Sequence, residues 1–274
     1  MKIIFWNIGN SFTIDKENCV KDLIQEKNPD IFCIAEGTTS ISNCQYLEKQ
    51  FVSFGFQTYY IPTFYNTPII GNQYGWNKFG LKLFTKKGIA IPAFTFSEQQ
   101  LEGRITFLRI KDCSIFFVHG MSKADDIPQY SFIVELYNFL KAKQLLFPDN
   151  KILIMGDFNI EPWENDLLSY EKYIYSHFYL KRFDFFKKYR LNKVFYNPIL
   201  ECIQNHADKD LIGTFYNPTH TSILDYFLIT DYIEKYDIEI INEIKGLSLL
   251  QKKTSKILLK NEFDHLPIQI IPTL

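Results

Sequence analysis

The sequence predicts a single α/β domain that spans residues 1–274. Short apolar runs of strand length recur from one end of the chain to the other, and amphipathic helical patterns lie between some of them. The composition does not change along the chain, and no Gly/Ser-rich or Pro-rich linker interrupts it. Strands and helices that mix without such a break are typical of one α/β domain.

Eight apolar runs predict buried strands, because each is short and rich in β-branched or aromatic residues. They cover residues 3–6, 31–35, 79–84, 105–110, 115–118, 152–155, 226–229 and 268–271. Two segments between them predict amphipathic helices. One face of residues 15–25 carries Val20, Leu23 and Ile24, and one face of residues 127–146 carries Ile133, Leu136, Tyr137, Leu140 and Leu145.

Charge and hydropathy limit the function classes. The net charge is −1 at pH 7, so the chain has no overall field that attracts nucleic acid or an anionic membrane. A local basic patch and a bound cation would do the same work, so nucleic acid stays open as a partner. No apolar run approaches the roughly 20 residues of a membrane helix, and the N-terminal run is too short for a secretion signal. We therefore expect a soluble protein.

The cysteines favour a reducing compartment. All five (Cys19, Cys33, Cys44, Cys113 and Cys202) are scattered, and no C-x-x-C pair occurs, so neither a zinc site nor a disulfide framework is predicted. Cys33 and Cys113 lie in or beside apolar runs and are predicted to be small core residues. A cytoplasmic location fits this pattern.

Polar side chains stand where the apolar runs end or begin. Four runs are followed by polar groups, which are Asn7, Glu36, His119, and Asp157 with Asn159; two runs are preceded by them, namely Asp225 and the pair Asp264–His265. In antiparallel pairs the C-terminal end of one strand lies beside the start of its neighbour. These groups are therefore expected to share one edge of the sheets, where they would gather four carboxylates, two amides and two imidazoles.

Such a cluster suits the hydrolysis of a phosphate ester. Carboxylate and amide oxygens are hard ligands for Mg²⁺, which keeps most of its waters and needs only one or two protein carboxylates; Mn²⁺ is a possible substitute. The reaction needs a cation on the phosphate oxygens, a base for water and donors for the developing charge. Imidazoles beside carboxylates supply protons near neutral pH. A zinc site is not favoured, because no closely spaced His/Cys cluster occurs.

At these residues the chain resembles the endonuclease/exonuclease/phosphatase superfamily. The ordered motifs are FWN, IAEG, FFVHG, GDFN, LDYFLIT and DHLPI, and they cover nearly the whole chain. GDFN followed much later by DH-x-P is the specific part of this signature. The resemblance implies a deoxyribonuclease-I-like fold, which is a four-layer α/β sandwich of two packed, mostly antiparallel sheets flanked by helices.

The resemblance also implies a metal site and a base. Glu36 would be the main Mg²⁺ ligand, with Asn7 and Asp264 nearby. Asp157 would orient or deprotonate the attacking water, and Asn159 would hydrogen-bond the phosphate or that water. The expected reaction is in-line attack of water on phosphorus.

Two imidazoles complete the implied site. His265, braced by Asp225, would stabilise charge on the phosphate, and His119 would donate to the phosphate or to the leaving oxygen. The abasic-site endonuclease branch has an acid or amide where this chain has Gly9, and Tyr where His119 stands. His119 therefore points to the deoxyribonuclease-I branch, in which a Glu usually braces this His. No acid occurs between Glu48 and Glu98, so the partner of His119 is left unassigned.

Two basic stretches have a structural and a functional interpretation each. Residues 170–193 carry seven cations interleaved with aromatic residues, among them Lys181, Arg182, Lys187 and Lys188. This stretch is either a solvated amphipathic helix pair or a ridge that binds phosphate backbone. Lys252, Lys253, Lys256 and Lys260 form the second stretch, for which a solvated loop is predicted.

Three functions fit the sequence. The leading hypothesis is a Mg²⁺-dependent phosphodiesterase that acts on DNA as a nuclease. The second is a hydrolase of a small phosphate ester, nucleotide or lipid head group that uses the same catalytic set. The third is a non-catalytic binding module, which is disfavoured because no catalytic-type position carries an inert residue except the optional acid at Gly9.

Overall fold

The computed structural model describes both the N-terminal and the C-terminal strands of the chain. The described residues are 1–9, 13–37, 41–60, 81–89, 104–120, 151–161, 195–196, 198–208, 210–230, 233–253, 256–260 and 263–273. The helix predicted over residues 127–146 lies outside these ranges, and so does the basic stretch that contains Lys181, Arg182, Lys187 and Lys188.

Three helices lie within the described residues: α1 (Ile14–Lys27), α2 (Ile41–Ser53) and α3 (Ile199–Asn205). The side chain of Thr13 caps α1 by accepting a first-turn backbone N–H, and Asn28 ends the helix in the left-handed conformation with φ 48°. The apolar face predicted for residues 15–25 is buried, which confirms that prediction. No helix in the described ranges is long and apolar enough to cross a membrane.

The strands are short, and several contain only two residues. Their bounds are β1 Ile3–Asn7, β2 Ile31–Ala35, β3 Phe56–Tyr60, β4 Lys82–Lys86, β5 Ile105–Ile110, β6 Cys113–His119, β7 Lys151–Asp157, β8 Phe195–Tyr196, β9 Phe215–Tyr216, β10 Thr221–Ser222, β11 Asp225–Thr230, β12 Tyr236–Ile240, β13 Glu243–Ile244, β14 Leu247–Ser248, β15 Leu250–Lys253, β16 Lys256–Leu259 and β17 Ile268–Pro272. Each of the eight predicted runs overlaps one of these strands.

Two mixed sheets form the framework. The first has the order β12-β17-β1-β2-β4-β3, and the second has the order β5-β6-β7-β11-β8. Each sheet contains one parallel pair, which is β1–β2 in the first and β6–β7 in the second; the other pairs are antiparallel. Strand β1 contacts β7, so the two parallel pairs face each other. The predicted class, an α/β sandwich of two packed and mostly antiparallel sheets, is confirmed.

The core lies between the sheets and under α2. Strands β1, β2 and β11 are buried along their whole length, as expected for strands covered on both faces. Phe51 of α2 stacks on Phe84 with ring centroids 4.0 Å apart, and this contact holds the helix on the first sheet. Cys33 and Cys113 are buried as predicted, and burial raises the pKa of both thiols.

The second basic stretch is not a loop. Residues Leu250–Lys253 and Lys256–Leu259 pair as an antiparallel hairpin, in register from Leu250 with Leu259 to Lys253 with Lys256. The prediction of a solvated loop is therefore wrong for three of the four lysines. The reason is that Leu250 and Leu259 are buried and anchor the base of the hairpin, a contact that local sequence does not reveal.

Candidate active site

The polar ends of the strands converge at one edge of the sandwich. In the first sheet, the parallel register pairs Asn7 with Ala35, and Glu36 is the next residue. In the second sheet, Asp157 pairs with His119 on one side and with Asp225 on the other. The strand registers thus bring together the polar groups that the sequence placed at strand ends and starts.

Asp157 lies at the centre of this cluster and is 1% exposed. Its Oδ2 atom accepts a hydrogen bond from Nδ2 of Asn7 at 2.9 Å, which links the two sheets. The Nε2 atoms of His119 and His265 each lie 3.8 Å from the same oxygen. Oδ1 accepts the backbone N–H of Asn159 at 2.8 Å. One carboxylate oxygen therefore faces an amide and two imidazoles.

Glu36 is held in a strained backbone conformation beside His119. Its φ of 60° lies in the left-handed region, which costs a non-glycine residue free energy and is often found at functional sites. Oε1 lies 3.5 Å from Nε2 of His119 and 3.3 Å from Nδ2 of Asn7. Burial alone raises the pKa of Glu36, but the hydrogen bond and charge of His119 and the charge of His265 outweigh it and lower the pKa to about 2.

His265 and Asp225 form a buried pair. Nδ1 of His265 lies 2.8 Å from Oδ2 of Asp225, whose side chain is fully buried. Burial lowers the pKa of His265, but the charges of Asp225 and Asp157 outweigh this and raise it. Burial raises the pKa of Asp225, against the opposing charge of His265. The opposite charges of the imidazolium and the carboxylate stabilise each other, which favours the charged form of His265.

Three further side chains surround this pair, and sequence reasoning missed them. Oγ1 of Thr214 accepts the backbone N–H of Asp225 at 2.9 Å. The ring of Phe215 lies 4.8 Å from the ring of His265, and Nε1 of Trp6 donates to the carbonyl of His265 at 2.9 Å. Trp6 stands inside the FWN motif, so its position gave a usable signal; Thr214 and Phe215 lie in a segment without periodicity.

Two glycines allow the backbones to approach closely at the site. A Cβ atom at Gly156 would lie 2.0 Å from the carbonyl oxygen of Val118 in the paired strand, and φ there is 151°. A Cβ atom at Gly120 would lie 2.2 Å from the carbonyl oxygen of Phe158. The glycines of the GDFN and VHG motifs are thus required by contact and not by catalysis.

Asp264 supplies an open ligand atom at the same edge. Its Oδ1 is buried and has no hydrogen-bond partner within the described part of the chain. It lies 3.3 Å from the point that a Cβ at Gly9 would occupy, beside the loop that follows Asn7. A buried carboxylate oxygen without a donor, beside the loop that follows Asn7, fits a divalent cation, because hard oxygen ligands are what Mg²⁺ requires.

A second group of side chains is spaced closely enough to hold a metal ion, but two of its members already bond to each other. Ligand atoms of Asp157, Asp225 and His265 lie within 4.8 Å of one another. Nδ1 of His265 and Oδ2 of Asp225 are already joined by a hydrogen bond, however. We therefore interpret this group as a hydrogen-bonded pair that faces the carboxylate of Asp157.

The structure brings together eight sequence-predicted site residues. These are Asn7, Glu36, His119, Asp157, Asn159, Asp225, Asp264 and His265. Nδ2 of Asn7 faces the carboxylates while its Oδ1 accepts the N–H of Gly9 at 2.9 Å. Among the described residues, Nε2 of His119 faces Glu36, which directly follows β2, and Asp157 of β7. The candidate substrate-binding residues of the first basic stretch lie outside the described residues.

Carboxylates, amides and two imidazoles that meet at one edge of the sheets have the chemistry that hydrolysis of a phosphate ester requires. A family model for the Endonuclease/Exonuclease/phosphatase family matches residues 4–241. The chain belongs to this family, and it is accordingly a phosphoester-hydrolysing enzyme. No protein in a search of curated sequences matches the chain.

Solved structures share the fold at low sequence identity. An AP endonuclease from Archaeoglobus fulgidus superposes with a TM-score of 0.60 at 17% identity, over 100% of both chains. The 3′ phosphatase NExo from Neisseria, bound to a product DNA hairpin, gives 0.59 at 15% identity over 100% of both chains. Truncated TDP2 from Caenorhabditis elegans gives 0.59 at 13% identity, over 100% of this chain and 97% of that one.

Proposed function

We propose that the chain is a Mg²⁺-dependent phosphodiesterase that cleaves DNA, with residues 1–274 as one catalytic domain. The observation that carries this proposal is the environment of Asp157. One oxygen of its buried carboxylate faces Asn7 and the Nε2 atoms of both site histidines. A base for water and two proton-bearing groups are therefore within one cluster, as hydrolysis of a phosphate ester requires.

Glu36 and Asp264 would hold the cation, with Asn7 nearby. The lowered pKa of Glu36 keeps its carboxylate charged, and Oδ1 of Asp264 lacks a competing donor in the described residues. A bound Mg²⁺ supplies positive charge to the phosphate oxygens. Mn²⁺ accepts the same oxygen ligands and is the expected substitute.

The protein side chains carry the proton transfers. Asp157 orients the attacking water and takes its proton as the water oxygen forms a bond to phosphorus. The bond from phosphorus to the leaving oxygen then breaks, and His119 donates a proton to that oxygen. The charged His265, held by Asp225, stabilises the phosphate oxygens as negative charge grows on them, and Asn159 hydrogen-bonds the phosphate or the water.

The similar structures favour DNA as the substrate. One is named as an AP endonuclease, and another holds a product DNA hairpin. A second candidate is a hydrolase of small phosphate monoesters or head groups, and the net charge of −1 favours it, since the chain has no overall basic field. Both candidates use the same catalytic side chains and differ only in what surrounds them.

The test is a substrate panel. Purified protein is freed of metal and incubated with plasmid, single-stranded DNA, RNA, a 3′-phosphorylated DNA oligonucleotide and small phosphate esters, with chelator or with Mg²⁺ or Mn²⁺. We expect cleavage of DNA with either metal and no turnover in chelator. Turnover of the small esters alone would replace the first candidate by the second. Full turnover after metal removal would contradict the cation site at Glu36.

A further inference from the structure

Three cationic side chains are buried next to the site. Lys16, Lys82 and Arg104 are 2%, 0% and 3% exposed, and no other lysine or arginine whose side chain the structure describes is buried. A buried charge costs free energy unless it is paired or well hydrogen-bonded. The hydrogen bonds that these three side chains make show what they hold in place.

The two lysines donate to the backbone beside candidate metal ligands. Nζ of Lys16 donates to the carbonyl of Ile8 at 2.6 Å, and Ile8 directly follows Asn7. Nζ of Lys82 donates to the carbonyl of Glu36 itself. The ends of β1 and β2 are thus each held by an ammonium group.

Arg104 makes the equivalent contact in the second sheet. Its Nη1 donates to the carbonyl of Gly120 at 2.6 Å and lies 3.4 Å from the carbonyl of His119. The backbone N–H of His119 donates in turn to the carbonyl of Arg104 at 2.8 Å. A buried cation therefore lies behind each of the strand ends that carry Asn7, Glu36 and His119.

Lys16 also lies close to Asp264. A Cβ atom built on Gly9 would lie 3.3 Å from Nζ of Lys16 and 3.3 Å from Oδ1 of Asp264, so the ammonium and the carboxylate flank one point. The ammonium also sits 5.2 Å from the centroid of the Phe263 ring. Its charge thus acts on the site in addition to its hydrogen bond.

We propose that Lys16, Lys82 and Arg104 are positioning residues that serve as built-in counter-charges of the acidic site. They hydrogen-bond the carbonyls at the strand ends, and their charges counter the carboxylates of the site, so that the cluster stays assembled before a divalent ion binds. This inference rests on the proposed function, because it assumes that the site binds such an ion. It goes further in assigning a role to side chains that do not touch the substrate.

The test measures stability with and without the ion. Lys82→Met removes the charge and the donor, whereas Lys16→Gln removes the charge and keeps an N–H donor. In chelator we expect each variant to melt about 5 °C or more below the wild type. Saturating Mg²⁺ should restore at least half of the lost melting temperature, because the bound ion supplies the missing positive charge. In a calorimetric titration, each variant should bind Mg²⁺ about threefold or more tightly than the wild type does.

Lys27→Met is the matched control. Lys27, the last residue of α1, is partly buried and pairs at 2.7 Å with Glu239 of β12, a strand that carries none of the site residues. The same chemical change there should leave the Mg²⁺-dependent rise in melting temperature equal to that of the wild type. If Lys82→Met fails to fold in either condition, Lys16→Gln decides. If Lys16→Gln lowers the melting temperature equally in chelator and in Mg²⁺, the cations only stabilise the fold, and the inference is overturned.

A metal-free cycle separates this inference from the proposed function. If Mg²⁺ does not raise the melting temperature of the wild type, the proposed cation site fails. A double-mutant cycle of Lys82→Met and Glu36→Gln, measured in chelator, then still tests whether Lys82 acts as a counter-charge. Once the Glu36 charge is gone, Lys82→Met should cost less than half the loss in melting temperature that it causes in the wild type. Additive losses would overturn the inference.

Discussion

Asp157→Asn is expected to lower turnover by a factor of about a hundred or more, since a general base contributes roughly that much. The amide keeps one oxygen, which can still accept the N–H of Asn159, but it cannot take a proton from water. Its N–H group would face Nδ2 of Asn7, now 2.9 Å from the carboxylate, so one hydrogen bond must be rearranged. That costs about 1 kcal/mol, and the melting temperature should fall by only a few degrees.

Turnover and melting temperature of the same preparation check this expectation. Asp22→Asn is the control, because Asp22 is a surface acid whose carboxylate pairs with Lys245 at 2.7 Å, remote from the strand ends. That variant should keep the wild-type rate. Wild-type turnover in Asp157→Asn would remove Asp157 from the base position. A collapse of the melting temperature with the rate would show that the carboxylate is needed for folding instead.

Glu36→Gln should have a comparable effect through the metal. The amide has nearly the same shape as the carboxylate but lacks the charge that makes Glu36 the main proposed Mg²⁺ ligand. We expect the Mg²⁺ concentration for half-maximal rate to rise about tenfold or more, and turnover to fall by about a hundredfold, because charge stabilisation on phosphate is typically worth this much. A Mg²⁺ titration of the rate measures both effects, and an unchanged titration curve would exclude Glu36 as a ligand.

The metal-free protein gives an independent readout of Glu36. Its folded pKa of about 2 lies below its ordinary value of 4.5, so the charged form stabilises the fold at pH values above about 4.5. This contribution is lost as the pH falls toward 2. In chelator, Glu36→Gln should therefore be less stable than the wild type near neutral pH, and the difference should shrink between pH 4.5 and 2. Denaturant unfolding at several pH values measures it.

Sequence reasoning could place the candidate site residues at one edge because these polar side chains directly follow or precede apolar runs. An acid or imidazole that directly follows a run of buried β-branched residues must lie at the edge of a sheet, and the registers of Asp157 with His119 and with Asp225 place those ends together. The eight apolar runs were predictable for a related reason, because burial on both faces leaves an unbroken apolar signal. Two-residue strands such as β9 carry no periodicity and were missed.

The buried cations were not predictable from local pattern. Lys16 lies between two acids in the first turn of α1, which looks like a solvated helix face, and Lys82 alternates with leucines as an outward-facing residue of a strand would. Both contact residues that are distant in the chain, since Lys16 lies beside the ring of Phe263 and Lys82 donates to the carbonyl of Glu36. Tertiary packing thus decides which lysines serve the site, and the same holds for the contact of Phe215 with His265.

The most direct test of the central claim, that water attacks phosphorus at this cluster, is isotope transfer from labelled water. A substrate that the enzyme turns over is cleaved to completion in H₂¹⁸O with Mg²⁺, and the phosphate-bearing product is analysed by mass spectrometry. The account predicts one ¹⁸O atom on phosphorus for each bond cleaved, and loss of that product in Asp157→Asn under the same conditions. A product phosphate without ¹⁸O would mean that cleavage occurs elsewhere than at phosphorus and would contradict the account.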